Sequence, residues 1–155
     1  MKLSQGKQLK LNGRHFRFAI ILARYNDHIG KELLKNTLET LSVLGVKERR
    51  IHLYRVPGAL EIPITASLLA QKQKYDAIIA LGVVIKGETP HFEVVARESY
   101  RGLMDVGLCN DTPIVFGVLT ATNVKQAKDR ATKGKLNKGK EFAETAVEMA
   151  MLIRR

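Results

Sequence analysis

Four side chains stand out for the chemistry they could do: Tyr25, Glu61, Thr89 and His91. Gly87, Glu88, Thr89 and Pro90 run directly into His91, and a helix opened by proline leaves free amide donors and a hydroxyl at its N-terminus. Such a terminus attracts anions through its orphan N–H groups and the helix dipole. Imidazole is the side chain best suited to moving protons near neutral pH. A phosphate seat beside a proton-carrying histidine is the sharper reading, and a capped helix with a surface histidine is the plainer one. Glu61 can accept hydrogen bonds from ligand hydroxyls, or it can simply offset a helix dipole. Tyr25 offers a flat face to a planar ring, or packs like any other aromatic residue. Together they suit a planar, polyhydroxylated substrate meeting a phosphorylated one.

Four continuously apolar runs, residues 17–23, 51–56, 77–85 and 114–119, read as buried parallel strands. Helical spacing fills the intervals. Leu34, Leu38 and Leu41 share a face with Leu33, Thr37 and Leu44, and Gly45 stands where that helix would end. A short helix over 63–73 carries Ala66, Leu69 and Ala70, and a third over 90–108 turns Val95, Ser99, Leu103 and Val106 inward, with Thr89 as N-cap and Pro90 at the first helical position. Asn123 and Gln126 form a capping pair, the segment 133–139 breaks the last two helices, and Phe142, Ala146, Met149 and Ile153 line the final one.

Strand–helix alternation predicts a three-layer α/β/α sandwich around a four-stranded parallel sheet, flavodoxin-like in kind. Residues 17–155 form one domain, and residues 1–16 form a polar N-terminal arm, flexible or paired as an extra strand with a neighbouring subunit. In an open parallel sheet the ligand crevice lies beyond the C-terminal strand ends. Those ends lead into 24–27, 56–61, 86–91 and 120–123, which hold all four side chains above, so the four segments should converge on one pocket.

The formal net charge of +11 favours acidic partners, with a local excess at Lys125, Lys128, Arg130, Lys133, Lys135, Lys138 and Lys140. Aromatic residues do not interleave with these cations, which argues against nucleic acid and for a solvated surface. Cys109 is alone, so there is no internal disulfide and no cysteine-rich zinc site. No apolar run is long enough for a membrane span, and the basic N-terminus has no signal-like apolar stretch beside it. A reducing, cytoplasmic compartment is the expectation.

Ala23-Arg24-Tyr25-Asn26, the block from Val56 to Pro63, Tyr75-Asp76-Ala77, the long block from Leu81 to Phe92, the block from Pro113 to Thr120, Arg130-Ala131, Asn137-Lys138-Gly139 and Glu148-Met149-Ala150 resemble the lumazine synthase family, in order, from about residue 14 to 153. That resemblance implies a cofactor-free and metal-free transferase of riboflavin biosynthesis, condensing 5-amino-6-(D-ribitylamino)uracil with 3,4-dihydroxy-2-butanone 4-phosphate. It implies that Tyr25 stacks on the pyrimidine, that Ala59, Leu60 and Glu61 hold the ribityl chain, and that Val83, Val84 and Ile85 bond the pyrimidine edge through their backbone. Glu88 and Thr89 would meet the phosphate, His91 would carry protons, and Arg130 would neutralise the phosphate. Phe116 and Arg130 would come from an adjacent subunit. Partners would be small-molecule substrates and further copies of the chain, as a pentamer or an icosahedral shell of twelve pentamers, with riboflavin synthase a candidate protein partner.

Three positions depart from the family pattern: Tyr25 for the commoner Phe or Trp, Leu60 for a common aromatic, and Glu88 beside the phosphate, where its backbone must bind while its carboxylate points away. The stretch 131–136 departs from the usual glycine–x–lysine pattern, and the short connection before Asn137 resembles the shell-forming type. Two other readings remain at this level: an archaeal-type riboflavin synthase of the same fold, which has no phosphorylated substrate, and a flavin-storage module that has lost catalysis.

Overall fold

A computed structural model describes residues 9–154. The central strands β1 (Phe18–Ala23) and β3 (Ala77–Ile85) carry an unbroken apolar sequence because they are covered on both faces. Along β1, Phe18, Ile20 and Leu22 face one layer, while Ala19, Ile21 and Ala23 face the other, as a period of two requires. Strands β2 (Ile51–Val56) and β4 (Ile114–Ala121) flank them, giving the order β2-β1-β3-β4 with every pairing parallel. Both edge strands are partly exposed, which explains the mixed sequence of β2, with His52, Tyr54 and Arg55 among its apolar residues.

Helices α1 (Asp27–Val43), α4 (Val124–Ala131) and α5 (Lys138–Ile153) cover one face, and α2 (Ile62–Ala70) and α3 (His91–Asn110) cover the other. This is the expected sandwich. Gly45 closes α1 with φ +89°, its N–H bonding Ser42 O at 3.0 Å while Val46 N–H reaches Leu41 O at 3.0 Å. That left-handed turn suits glycine. No helix among the described residues is long and apolar enough to cross a membrane.

Several boundaries and faces differ from the sequence reading. Gly13 and Phe16 are buried, Gly13 N–H bonds Leu44 O at 2.7 Å, and Phe16 packs edge-on to Phe18, so the chain joins the body before residue 17. The extra strand expected of the arm falls largely on residues 1–8, outside the described residues. The inward face of α5 is Gly139, Ala143, Ala146, Val147 and Ala150, while Ile153 is exposed. Small residues take that face because α5 lies tight on α1: a Cβ on Gly139 would stand 2.6 Å from Leu33 O and 2.9 Å from Thr37 N. Nor is Thr89 an N-cap. Pro90 itself opens α3, its carbonyl accepting from Glu93 N–H at 3.0 Å and Val94 N–H at 3.4 Å, with no side-chain cap. The Asn123–Gln126 pair is a shifted capping box: Asn123 Oδ1 accepts from Gln126 N–H at 2.8 Å, but Gln126 Oε1 accepts from Thr122 N–H at 2.7 Å.

The α1–α5 contact gives a direct test. Gly139→Ala should lower stability by about 1–3 kcal/mol through overpacking against backbone that cannot retreat. Gly134, where an added Cβ meets nothing within 4 Å, is the control, and Gly134→Ala should leave the denaturation midpoint unchanged. Equal midpoints for the two variants would contradict the packing described.

Candidate active site

The sheet winds in both directions from its centre. The crossover leaving β1 runs through α1 to β2 on one side, and the crossover leaving β3 runs through α3 to β4 on the other. The helices also lie on opposite faces, which opens a crevice between the C-terminal ends of β1 and β3. A cleft of about 460 Å³ occupies that place.

Three strand-end segments line it. After β1 come Tyr25 and Asn26, after β2 come Gly58, Ala59, Leu60 and Glu61, and the end of β3 supplies Val83, Val84 and Ile85. The turn into α3 adds Gly87 and Thr89, and the first turns of α3 add His91, Phe92 and Val95. Tyr25 is 75% exposed, which leaves its ring free to meet a planar ligand rather than locked in the core. The Glu61 carboxylate leans back across Gly58, where an added Cβ would lie 3.0 Å from its Oε2. His91 stands at the head of α3. The amides of Gly87, Glu88, Thr89, His91 and Phe92 donate to no backbone carbonyl among the described residues, so this turn presents a row of open donors. In a partly apolar crevice such donors can hold an anion within reach of the imidazole.

The sequence reading missed Asn26. An asparagine before a helix signals a cap, yet its side chain makes no cap bond. Its backbone is left-handed at φ 56°, and Nδ2 instead crosses the crevice to donate to Val83 O at 2.9 Å. The bond clamps the Tyr25 turn to the β3 end. Beside it, Asp27 pairs with Lys31 at 2.7 Å and with Arg55 of β2. The Lys31 ammonium, with Arg55 second, holds the Asp27 carboxyl below the usual carboxylate range.

Three expected site residues and one segment are not in this chain's cleft. Glu88 is exposed and does not line it, although its neighbours Gly87 and Thr89 do. Phe116 pairs with Ala80, well short of the strand end, and its ring lies 6.0 Å from Tyr100 of α3. Arg130 belongs to α4 on the opposite face of the sheet, its Nη1 donating to Gln126 O at 3.3 Å. The fourth segment, 120–123, ends β4 and caps α4, so it leads to that opposite face as well. One chain therefore brings three segments together, not four.

A family model described as 6,7-dimethyl-8-ribityllumazine synthase matches residues 15–154. The chain is 45% identical over 152 residues to a 6,7-dimethyl-8-ribityllumazine synthase of Pelodictyon phaeoclathratiforme, covering 97% of this chain and 98% of that protein. Proteins of the same name from Chlorobium luteolum and Chlorobium limicola are each 43% identical with the same coverage.

The Asn26 clamp can be dissected with two substitutions. Asn26→Gly removes the bond to Val83 while tolerating the left-handed backbone, and should cost about 0.5–1.5 kcal/mol. Asn26→Ala adds a left-handed penalty of about 1–2 kcal/mol, offset in part by the greater entropy glycine loses on folding. Denaturant unfolding should rank wild type above the Gly variant and the Gly variant above the Ala variant; an Ala variant as stable as wild type would remove both claims.

Proposed function

The chain belongs to the 6,7-dimethyl-8-ribityllumazine synthase family, and we propose that its cleft joins 5-amino-6-(D-ribitylamino)uracil to 3,4-dihydroxy-2-butanone 4-phosphate. The products are 6,7-dimethyl-8-ribityllumazine, phosphate and water. The meeting of Tyr25, Glu61, the β3 end and the Thr89–His91 turn in one crevice is the observation that carries this reading. Tyr25 stacks on the pyrimidine, and the backbone of Val83, Val84 and Ile85 bonds its polar edge. Ala59, Leu60 and Glu61 run beside the ribityl chain, with the carboxylate accepting from its hydroxyls. The phosphate of the four-carbon substrate sits on the open amides from Gly87 to Phe92 and on the Thr89 hydroxyl. Glu88 contributes its backbone, its exposed carboxylate being directed away.

The chemistry asks little of the protein. The uracil amine attacks the ketone, and loss of water gives an imine. The imine withdraws electrons, so a proton leaves the adjacent carbon and the phosphate departs. Elimination leaves an enol at the carbon that carried the hydroxyl, and the enol takes up a proton to become a methyl ketone. The ribityl-bearing nitrogen then closes the ring on that new carbonyl, with loss of the second water. Both reactants are intrinsically reactive, so holding them together supplies much of the acceleration, about 7–11 kcal/mol in ideal cases. His91, beside the phosphate seat, takes and returns the protons. The cleft needs no resident cofactor or metal for any of these steps.

No lysine or arginine among the described residues lines the cleft, and Arg130 belongs to α4 rather than to the cleft wall. A neighbouring copy supplies it, together with Phe116 as a further wall for the ring. Exposed apolar residues support such packing: Ile64 and Leu68 on α2, and Met104 and Leu108 on α3, are each at least half exposed. We place the assembly as pentamers, twelve of them in a shell, on the short connection between α4 and α5, and the enzyme in the cytoplasm, where the exposed Cys109 thiol stays reduced.

Mixing the two substrates with the protein should release phosphate and produce lumazine fluorescence. His91→Ala should slow turnover at or below the lower end of the ~10²–10⁴-fold range for proton-transfer groups, because the substrates react unaided, while pyrimidine binding is spared. Arg130→Ala should chiefly raise KM for the phosphorylated substrate; an unchanged KM would take Arg130 out of the phosphate role. Shared sites make a sharper forecast. Co-assembling His91→Ala and Arg130→Ala chains one to one should restore about a quarter of the sites, since each site draws the two groups from different copies. No gain over the separate variants would mean that each site is built within one chain.

A further inference from the structure

The opposite end of the sheet holds a second concavity, about 320 Å³, where Arg17, Arg50, Lys74, Tyr75, Asp76 and Arg154 come together. Arg17 precedes β1, Arg50 precedes β2, Lys74 to Asp76 precede β3, and Arg154 follows α5. Four permanent cations thus face one carboxylate. That carboxylate is already engaged: Asp76 Oδ2 accepts from Arg17 N–H at 2.7 Å, and Oδ1 lies 3.2 Å from Arg154 Nε. No carboxylate among the described residues lies within ion-pair distance of the Arg17 or Arg50 guanidinium or the Lys74 ammonium. Arg50 Nη1 donates to His15 O at 3.0 Å, but Arg50 Nε is buried with no acceptor among the described residues. A buried charged donor left unmade is costly and calls for an anion.

We infer that this basal concavity is a second anion site, taking the phosphate or pyrophosphate group of a small molecule. Two guanidinium forks suit the tetrahedral, multiply bonded oxygens of such a group. The surrounding groups leave it little competition. The Tyr75 hydroxyl is held by Tyr54 Oη at 2.7 Å and His52 Nδ1 at 2.8 Å, and burial, with Tyr54 second, raises its pKa, so it stays a neutral phenol. Lys74 Nζ stands 5.8 Å from the Tyr75 ring centroid, an exposed cation at the rim. The site is separate from the cleft, because the nine residues of β3 lie between them, roughly 30 Å of strand. The volume admits a small phosphorylated molecule and gives one part of the +11 charge a definite place.

The probe is pyrophosphate, titrated into the full chain by calorimetry at ionic strength fixed with potassium chloride. Wild type should show binding that the Arg17→Gln, Arg50→Gln double variant weakens about tenfold or more, the loss expected for charge-assisted bonds. Its kcat and KM for the condensation should stay within about twofold of wild type, since the cleft is untouched. Superimposable isotherms for wild type and the double variant would overturn the site. So would equal displacement by chloride, which would mean diffuse charge only. If circular dichroism shows the double variant unfolded, Lys74→Gln, exposed at the rim, should still weaken binding about threefold. A crystal of wild type grown with pyrophosphate should then show the ion between Arg17 and Arg50, and an empty site there would refute the proposal.

Discussion

The hydrogen bond from Asn26 Nδ2 to Val83 O spans the point where the winding of the sheet reverses. Parallel strands need crossover connections, and these have one favoured hand. Leaving β1 towards β2 therefore puts α1 on one face, while leaving β3 towards β4 puts α3 on the other. Two adjacent strands whose chains depart to opposite faces cannot close over their own ends. The crevice is a consequence of handedness, before any catalytic residue is chosen. It also exposes backbone: Val83 O would face the gap unpaired without the Asn26 amide. A left-handed residue at the strand exit and a side-chain bond across the gap stabilise what topology leaves open.

That origin explains which parts of the molecule were legible in sequence. Strands β1 and β3 are read directly, because burial on both faces removes every polar position from 18–23 and 77–85. The outline of the cleft follows from the same strands, since the rule about strand ends needs only their order and direction. Asn26 was not legible in its role, because a capping residue and a cross-strand clamp look alike in one dimension. What separates them is where the side-chain amide goes. Asn137, with the same left-handed backbone, caps α5 by accepting from Lys140 N–H, whereas Asn26 Nδ2 reaches across to Val83 O, a partner that lies 57 residues away in sequence. The inward face of α5 was misplaced for a related reason. Large apolar residues ordinarily mark burial, but where helices approach closely the buried positions are small, as at Gly139, Ala143, Ala146 and Ala150. The spacing of those small residues was the available signal.

Arg130 and Phe116 show a different limit. Both lie in segments that match the family, yet neither reaches the cleft of its own chain. Pattern along a chain specifies elements and their faces, whereas a residue that acts on a neighbouring copy is specified by an interface. Exposed apolar residues such as Ile64 and Leu68 on α2 and Met104 and Leu108 on α3 are what the proposed interface between copies would cover.

A site divided in this way suits the chemistry proposed for it. When reactants are inherently reactive, catalysis rests on bringing them together, and a groove needs only a flat ring, a few donors and one titratable group. The open amides at the head of α3 can seat an anion, but backbone dipoles do not neutralise a dianion. A cation arriving only with assembly would tie full affinity for the phosphorylated substrate to the assembled state. An isolated chain would hold the pyrimidine while discriminating poorly among anions. The proposed basal site differs in this respect: its guanidinium groups come from the starts of β1 and β2 and the end of α5 in one chain, so its affinity would be set by the fold alone. The two proposed anion seats at opposite ends of the sheet would thus respond differently to dilution, one governed by contact between copies and the other by the folding of each.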